Sequence, residues 1–237
     1  MADARGGERS VRHDELDTLD RFYAALNALI ERQGLLTLRE RLQRRDLPRR
    51  GVYFFFDERE RRSRVDALRV VRVGTHALNR GARSTLRGRL RQHLGTRAGY
   101  GNHRGSVFRL HVGAALLARD GSSLETWGVG SSARADVRQG EREHERRVSQ
   151  YVAKLRVVTL GIEDDPGPES LRGYVERNAI ALLANVGRAM DPPSAGWLGH
   201  LAQRSQVRDS GLWNVNHVGS CVDPAFPEGL RALVRGI

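Results

Sequence analysis

Two short apolar segments near the middle of the chain constrain its fold most strongly. Residues Gly51–Phe56 form an unbroken run of apolar residues rich in aromatic side chains, and a charged stretch follows directly. Residues Leu68–Gly74 then alternate between apolar and polar side chains near their end. Short runs of this composition, bounded by polar residues, are typical of β-strands. The two segments therefore predict a pair of strands joined as a hairpin.

Helical patterns precede this hairpin. Apolar side chains recur at three- and four-residue steps over residues 16–30, which predicts an amphipathic helix. Residues 1–12 lack that periodicity, so we expect a frayed arm there. Thr37–Glu40 has the form of a capping box and predicts a second, arginine-rich helix that ends before Pro48. These patterns indicate a helical extension over residues 1–48.

A further helix is expected directly after the hairpin. Ser84 is a candidate N-cap, and Gly95 is a candidate C-terminal glycine. The apolar residues between them repeat at four-residue spacing: Leu86, Leu90 and Leu94. Arg89 and His93 are also four residues apart, so they share a face of this helix.

The second half of the chain reads as alternating strands, loops and helices. Alternation over Ser106–Val112 predicts a strand, and the Gly- and Ser-rich stretch Gly121–Gly140 predicts a loop. Further elements are expected at Glu141–Leu155 (a charged helix), Leu155–Ile162 (a strand) and about Glu169–Ala184 (a helix). The predicted fold class is therefore α/β, a small mixed or antiparallel central sheet flanked by helices.

We expect three segments in the chain. The helical extension, residues 1–48, is followed by a central domain over residues 49–190 that carries an insertion at about 95–155. Residues 191–237 form a C-terminal cap that contains Trp197 and Trp213.

Composition excludes several classes of protein. A hydrophobic content of 39% with only 7 prolines is that of a folded globular chain and not of a disordered one. The single cysteine, Cys221, excludes an internal disulfide and a thiolate zinc site, and it favours a reducing, cytoplasmic location. No apolar run approaches the ~18 residues of a membrane span, and the first residues lack the apolar region of a signal peptide.

The formal net charge of +12 favours an anionic partner. Nearly all the basic residues are arginines, whose guanidinium groups match phosphate geometry well. Nucleic acid is the expected partner. We expect the arginine helix around residues 39–50 and the segment 97–111 to contact its backbone, with binding that weakens as salt rises.

Three segments together resemble the signature of the GIY-YIG nuclease superfamily. They are Gly51-Val52-Tyr53, Arg72-Val73-Gly74 and the arginine-bearing helix Leu86–His93. The resemblance covers residues 49–95 with some specificity and residues 155–185 more loosely. It implies a GIY-YIG-like nuclease domain within residues 49–190, and a Mg²⁺-dependent endonuclease, with Mn²⁺ as a possible substitute, that hydrolyses DNA at a one-metal site.

Phosphodiester hydrolysis requires an activated water, neutralisation of charge on the phosphorus and help for the departing oxygen. Tyr53 is the candidate general base, and Arg89 is the candidate ligand of the phosphate oxygens. Glu176 is the candidate Mg²⁺ ligand, because carboxylate oxygens and water suit that ion. The resemblance implies the same roles, and it adds His93 as a proton relay or phosphate contact.

Further residues near the motifs are predicted to bind substrate: Arg72, Thr75, His76, Arg104 and Asn185. Two of them depart from the family pattern. Arg72 stands where the second tripeptide has a tyrosine, so the site lacks a second phenol. Asn185 follows Glu176 by nine residues, but the proline found before such an asparagine in many members is absent.

Other chemistries are less well supported. Residues 143–145, Glu-His-Glu, lack the second histidine of a zinc hydrolase helix, and the glycine-rich loop 99–105 lacks the ending of a phosphate-binding loop. Residues 214–217 resemble part of a His/Asn nuclease hairpin without its upstream histidine. A binding module that keeps the fold but has lost cleavage remains the main alternative. Target sequence, DNA versus RNA and oligomeric state are left open.

Overall fold

A small antiparallel sheet lies at the centre of the molecule. The computed structural model of the protein describes residues 3–236, and for residues 3–13 it describes the backbone alone. The strands are β1 (Leu36–Thr37), β2 (Gly51–Arg61), β3 (Leu68–Gly74) and β4 (Arg156–Gly161). Their order is β1-β4-β2-β3, and each neighbouring pair is antiparallel. The α/β class, the antiparallel sheet and the central hairpin are therefore confirmed.

Helices surround this sheet. Their bounds are α1 (Asp3–Gln33), α2 (Leu38–Gln43), α3 (Leu86–Leu94), α4 (Val107–Arg119), α5 (Ala135–Lys154), α6 (Leu171–Leu183), α7 (Ser205–Ser210) and α8 (Phe226–Arg235). Short 3₁₀ turns lie at His103–Gly105 and Leu198–Leu201. Among the helices of residues 3–236, none has the length and apolar character needed to cross a membrane.

Strand β2 separates two hydrophobic layers, because its successive side chains point to opposite faces of the sheet. Val52, Phe54 and Phe56 join α1, α6 and α8 in one layer. Tyr53 and Phe55 join α2, α3, α4, α5 and the buried tryptophans of the C-terminal segment in the other. The first and last helices thus pack on the same face of the sheet. The division into segments 1–48, 49–190 and 191–237 stays a prediction.

Two expectations about helix starts are wrong. Helix α1 already begins at Asp3, so residues 3–12 are not a frayed arm, while Met1 and Ala2 lie outside the described residues. Residues 3–12 include three arginines, one alanine and one glutamate, which favour helix even without an apolar stripe. The N-cap of α3 is Thr85 and not Ser84, because the Thr85 hydroxyl accepts the Gly88 N–H at 3.1 Å.

The strand expected at Ser106–Val112 is wrong as well. Ser106 is the N-cap of α4, and its hydroxyl accepts the Arg109 N–H at 3.3 Å. Phe108, Val112 and Leu116 then recur at four-residue spacing and are buried. The short alternating stretch fits both the two-residue period of a strand and the roughly 3.6-residue period of a helix. The apolar run continues to residue 118, which is longer than a typical strand. Packing against the sheet selects the helix.

Candidate active site

A surface cleft of about 610 Å³ lies where the end of β3, helix α3 and helix α6 meet. Four of the residues predicted from the sequence line it: Thr75, His76, Arg89 and Glu176. Thr75 and His76 directly follow β3, while Arg89 and Glu176 come from the two helices. The fold therefore brings together residues that are up to a hundred positions apart in the chain.

Glu176 is held at the cleft by the backbone that follows β3. Its Oε1 atom accepts the Thr75 N–H at 3.1 Å. Burial raises the pKa of Glu176, while Arg72, the Thr75 N–H and Arg89 act in the opposite direction. The carboxylate thus lies among cationic groups in a partly desolvated position, where a cation in the cleft would favour its ionised form.

Arg89 projects from the exposed side of α3 and is half-buried. Its Nη1 atom donates to Oε1 of Gln92 at 2.6 Å and to the Gly105 carbonyl at 3.4 Å. Within the described part of the chain, its Nε and Nη2 atoms donate no hydrogen bond. The guanidinium is therefore oriented by one nitrogen and keeps donors for a ligand in the cleft.

His76 is a buried histidine without hydrogen-bonding partners for its ring. The side chain lines the cleft and is 6% exposed, and neither ring nitrogen has a partner among the described residues. Burial, together with the charges of Arg172, Arg50 and Arg89, lowers the pKa of His76 to about 4. The ring is thus neutral at pH 7, with one donor and one acceptor nitrogen. Both ring nitrogens are closed off from solvent, so the ring adds no free donor at the surface of the cleft.

Arg172 holds the loop that carries His76, and sequence analysis missed this role. Its side chain is fully buried, is paired with Asp164, and donates from Nη1 to the His76 carbonyl. The next residue, Ala77, has a φ of 54°, which is uncommon for a residue with a side chain. Arg172 precedes Glu176 by four residues, so both lie on one face of α6. The four-residue spacing between Arg172 and Glu176 is the sequence feature from which this role could have been predicted.

Tyr53 and His93 form a buried hydrogen-bond chain beside the cleft. The Tyr53 hydroxyl lies 2.7 Å from Nε2 of His93, and Nδ1 of His93 lies 2.9 Å from the Ser106 hydroxyl. Both aromatic side chains are fully buried. Burial, with the charges of Arg72, Arg89 and Arg109, lowers the pKa of His93 well below its usual value. A neutral His93 can accept the tyrosine proton at Nε2 while Nδ1–H donates to Ser106.

Gly74 separates the Tyr53 hydroxyl from the start of the cleft. The two residues are direct cross-strand partners on β2 and β3. A Cβ atom at Gly74 would lie 2.2 Å from the Tyr53 hydroxyl oxygen, so only glycine leaves room for it. Since Thr75 follows Gly74 and lines the cleft, the phenol ends at the border of the cleft without lining it.

The other predicted substrate-binding residues are engaged inside the fold. Arg72 is 8% exposed, donates to the Trp213 carbonyl and lies 4.8 Å from the Phe108 ring centroid, outside the cleft lining. The buried guanidinium of Arg104 donates to Glu141 at 2.6 and 2.9 Å, and its role in substrate binding stays a prediction.

Asn185 is also engaged inside the fold, and its role in substrate binding stays a prediction. Its side-chain amide donates to the carbonyls of Asp191 and Ser210, and its oxygen accepts the Asp191 N–H. These three bonds fix the turn after α6. Asn185 is not part of the cleft lining.

Glu176 suits a cation that takes few protein ligands. The described residues include no group of three or more His, Cys, Asp or Glu side chains placed to share a metal. Mg²⁺ commonly binds through one or two carboxylates, with water and substrate phosphate completing its shell. Since Thr75 uses one oxygen of Glu176, the other is left for such a ligand. The donor set fits Mg²⁺ and does not fit a closed structural metal site.

The protein is thus an α/β protein whose antiparallel sheet carries an arginine and a glutamate from separate helices at the end of its hairpin. A family model described as GIY-YIG domain matches residues 13–237, which is nearly the whole chain. The chain therefore belongs to the GIY-YIG family, whose members are endonucleases. No curated protein and no solved structure matches the chain.

Proposed function

We propose that the protein is a Mg²⁺-dependent endonuclease that hydrolyses phosphodiester bonds of DNA, with Mn²⁺ as a substitute ion. One observation carries the proposal: Arg89 and Glu176 line the same cleft, beside His76. A phosphate in that cleft meets a guanidinium donor, a carboxylate suited to a cation and a neutral imidazole. This combination matches the charge that develops during phosphodiester hydrolysis.

Glu176 and Arg89 have complementary roles in this proposal. Glu176 holds Mg²⁺ through its free oxygen while the Thr75 N–H orients the carboxylate. When bound, Mg²⁺ would stabilise the charge on the phosphate oxygens and lower the pKa of a coordinated water. Arg89 donates to a non-bridging phosphate oxygen and stays charged at any working pH.

Tyr53 acts as the general base in this proposal. As phenolate, its oxygen takes a proton from the attacking water, and the hydroxyl so formed donates to Nε2 of the neutral His93. Ser106 keeps His93 in the tautomer that accepts at Nε2. Because the Tyr53 hydroxyl ends beside Gly74, the water must approach at that border of the cleft.

The experiment is cleavage of supercoiled plasmid and labelled oligonucleotides with Mg²⁺ or Mn²⁺. Glu176→Gln removes the cation ligand with little change of volume, and Glu169→Gln is the matched control at an exposed position just before α6. We expect metal-dependent nicking by the wild type and the control but not by Glu176→Gln. Equal nicking by Glu176→Gln would exclude the proposed role of this carboxylate.

A second candidate function is a nucleic-acid-binding module that does not cleave. The complete burial of Tyr53 and the engagement of Arg72 by Trp213 favour it, because neither side chain meets solvent at the cleft. Binding of DNA or RNA with no metal-dependent cleavage of any substrate would establish this alternative.

A further inference from the structure

A second depression, called here the arginine groove, adjoins the cleft. It measures about 610 Å³ and lies between α3, the loop 95–105 and the first half of α5. Gly88 and Gln92 line both the cleft and the groove. These two residues are one helical turn apart on α3, so a chain that leaves the cleft along that turn enters the groove.

The walls of the groove carry cationic groups that the fold leaves unpaired. Arg91, Arg138 and Arg142 line it and are exposed, and none of them forms an ion pair with another described residue. The carboxylates of the groove are buried and neutralised in place. Glu141 is paired with Arg104 and Glu145 with Arg109.

The acids therefore contribute little negative potential to the groove, and its surface is positive. A positive concave surface of this kind concentrates polyanions.

The wall formed by the loop 95–105 is held in place by specific contacts. The Tyr100 carbonyl accepts hydrogen bonds from the Thr96 N–H at 2.7 Å and from its hydroxyl at 2.8 Å. Gly95 has a φ of 98°, and a Cβ atom there would lie 2.7 Å from the Tyr100 carbonyl oxygen. The Arg142 guanidinium lies 4.9 Å from the centroid of the Tyr100 ring. Aromatic stacking thus orients one of the three cations toward the groove.

We propose that the arginine groove binds the nucleic-acid strand next to the phosphate in the cleft. Arg91, Arg138 and Arg142 contact its backbone phosphates, while the neutralised acids beneath them do not repel it. Arg138 and Arg142 are separated by one turn of α5, so they face the same strand. This inference rests on the proposed function and adds the path by which the substrate leaves the cleft.

The test is the salt dependence of nucleic-acid binding by the full-length chain. Fluorescence anisotropy with labelled single-stranded and duplex oligonucleotides, in EDTA to prevent cleavage, compares the wild type with the triple variant R91A/R138A/R142A. The matched control R64A/R204A/R235A removes the same charge at exposed positions outside the groove. Thermal melting establishes that both variants are folded.

We expect the groove variant to bind about tenfold more weakly at low salt. The slope of log affinity against log salt should fall by about two to three, since each phosphate contact contributes ~0.7–0.9. In the control variant the slope should fall by less than about half of that amount.

Equal behaviour of the groove variant and the wild type would overturn the proposal, and so would an equal loss in the control variant. A wild type that binds neither oligonucleotide would overturn it too. Failure of the proposed function gives a different result. Binding that depends on the groove, without metal-dependent cleavage, would support the groove proposal and exclude the nuclease reaction.

Discussion

The cleft with its neighbouring groove and the interior beneath them use arginine in opposite ways. The interior arginines are fully buried or nearly so and are paired with carboxylates: Arg69, Arg104, Arg109 and Arg172. The arginines of the cleft and groove are exposed or half-buried and keep free donors: Arg89, Arg91, Arg138 and Arg142. The net charge of +12 therefore says little about where an anion binds. For these eight arginines, the presence of a carboxylate within reach separates the interior group from the cleft and groove group.

Histidine shows the same contrast. His93, in the interior, has both ring nitrogens engaged by Tyr53 and Ser106. His76, at the cleft, has neither engaged. The two buried histidines therefore differ in hydrogen bonding, although both are neutral at pH 7.

The largest effect is expected for loss of an interior carboxylate. Glu145→Ala leaves the Arg109 guanidinium buried without its partner and also removes the acceptor 3.0 Å from Nδ1 of His103. We expect the free energy of unfolding to fall by about 4 kcal/mol, measured by urea denaturation. Arg142→Ala, at an exposed arginine, should change it by less than about 0.5 kcal/mol. Similar losses in both variants would remove the distinction between the two groups.

The next effect concerns activity rather than stability. Arg89→Ala should lower the single-turnover cleavage rate about 10²- to 10³-fold, or about 3–4 kcal/mol, because it removes a donor to charge that develops in the transition state. The melting temperature should stay within a few degrees of the wild type. A large loss of stability in this variant would place Arg89 with the interior group.

The border between cleft and interior is tested at Gly74. Gly74→Ala places a methyl group against the Tyr53 hydroxyl, so the phenol must shift away from His93. We expect a loss of about 2 kcal/mol in unfolding free energy, typical of overpacking, together with loss of cleavage. Gly219→Ala is the control, since a Cβ atom there meets no neighbour within 4 Å. Full activity in Gly74→Ala would show that the hydrogen bond between Tyr53 and His93 is not needed.

The smallest effect is a pH dependence of stability. Burial, with the charges of Arg72 and Arg204, lowers the pKa of His111 to about 4. Between pH 6.5 and 5 the unfolded chain gains a proton at this residue while the folded protein does not, so stability falls as the pH falls. The expected contribution of His111 is about 1.5 kcal/mol. Between these two pH values the unfolding free energy of His111→Asn, measured by urea titration, should fall by about 1.5 kcal/mol less than that of the wild type. An unchanged pH dependence would contradict the assignment.

Local patterns account for the part of the structure that was predicted. The hairpin, the capping box at Thr37, the charged helix α5 and helix α6 depend on neighbours a few residues away. The family motifs placed Arg89 and Glu176 on separate helices, and the fold has them so. Ser106–Val112 was mispredicted because a short alternating stretch is compatible with both a strand and a helix, and only tertiary packing selects between them.

The sequence alone determined the central hairpin, helices α2, α3, α5 and α6, and the residue types that could carry phosphate chemistry. Only the tertiary structure decided which of those residues are free to do so. Arg104 forms an ion pair with Glu141, 37 residues away, while Arg142, the next residue after Glu141, is exposed in the groove. No local pattern distinguishes these two arginines. The difference arises from burial and ion pairing between distant segments: the buried Arg104 guanidinium is neutralised by a carboxylate, whereas the exposed Arg142 guanidinium is solvated by water.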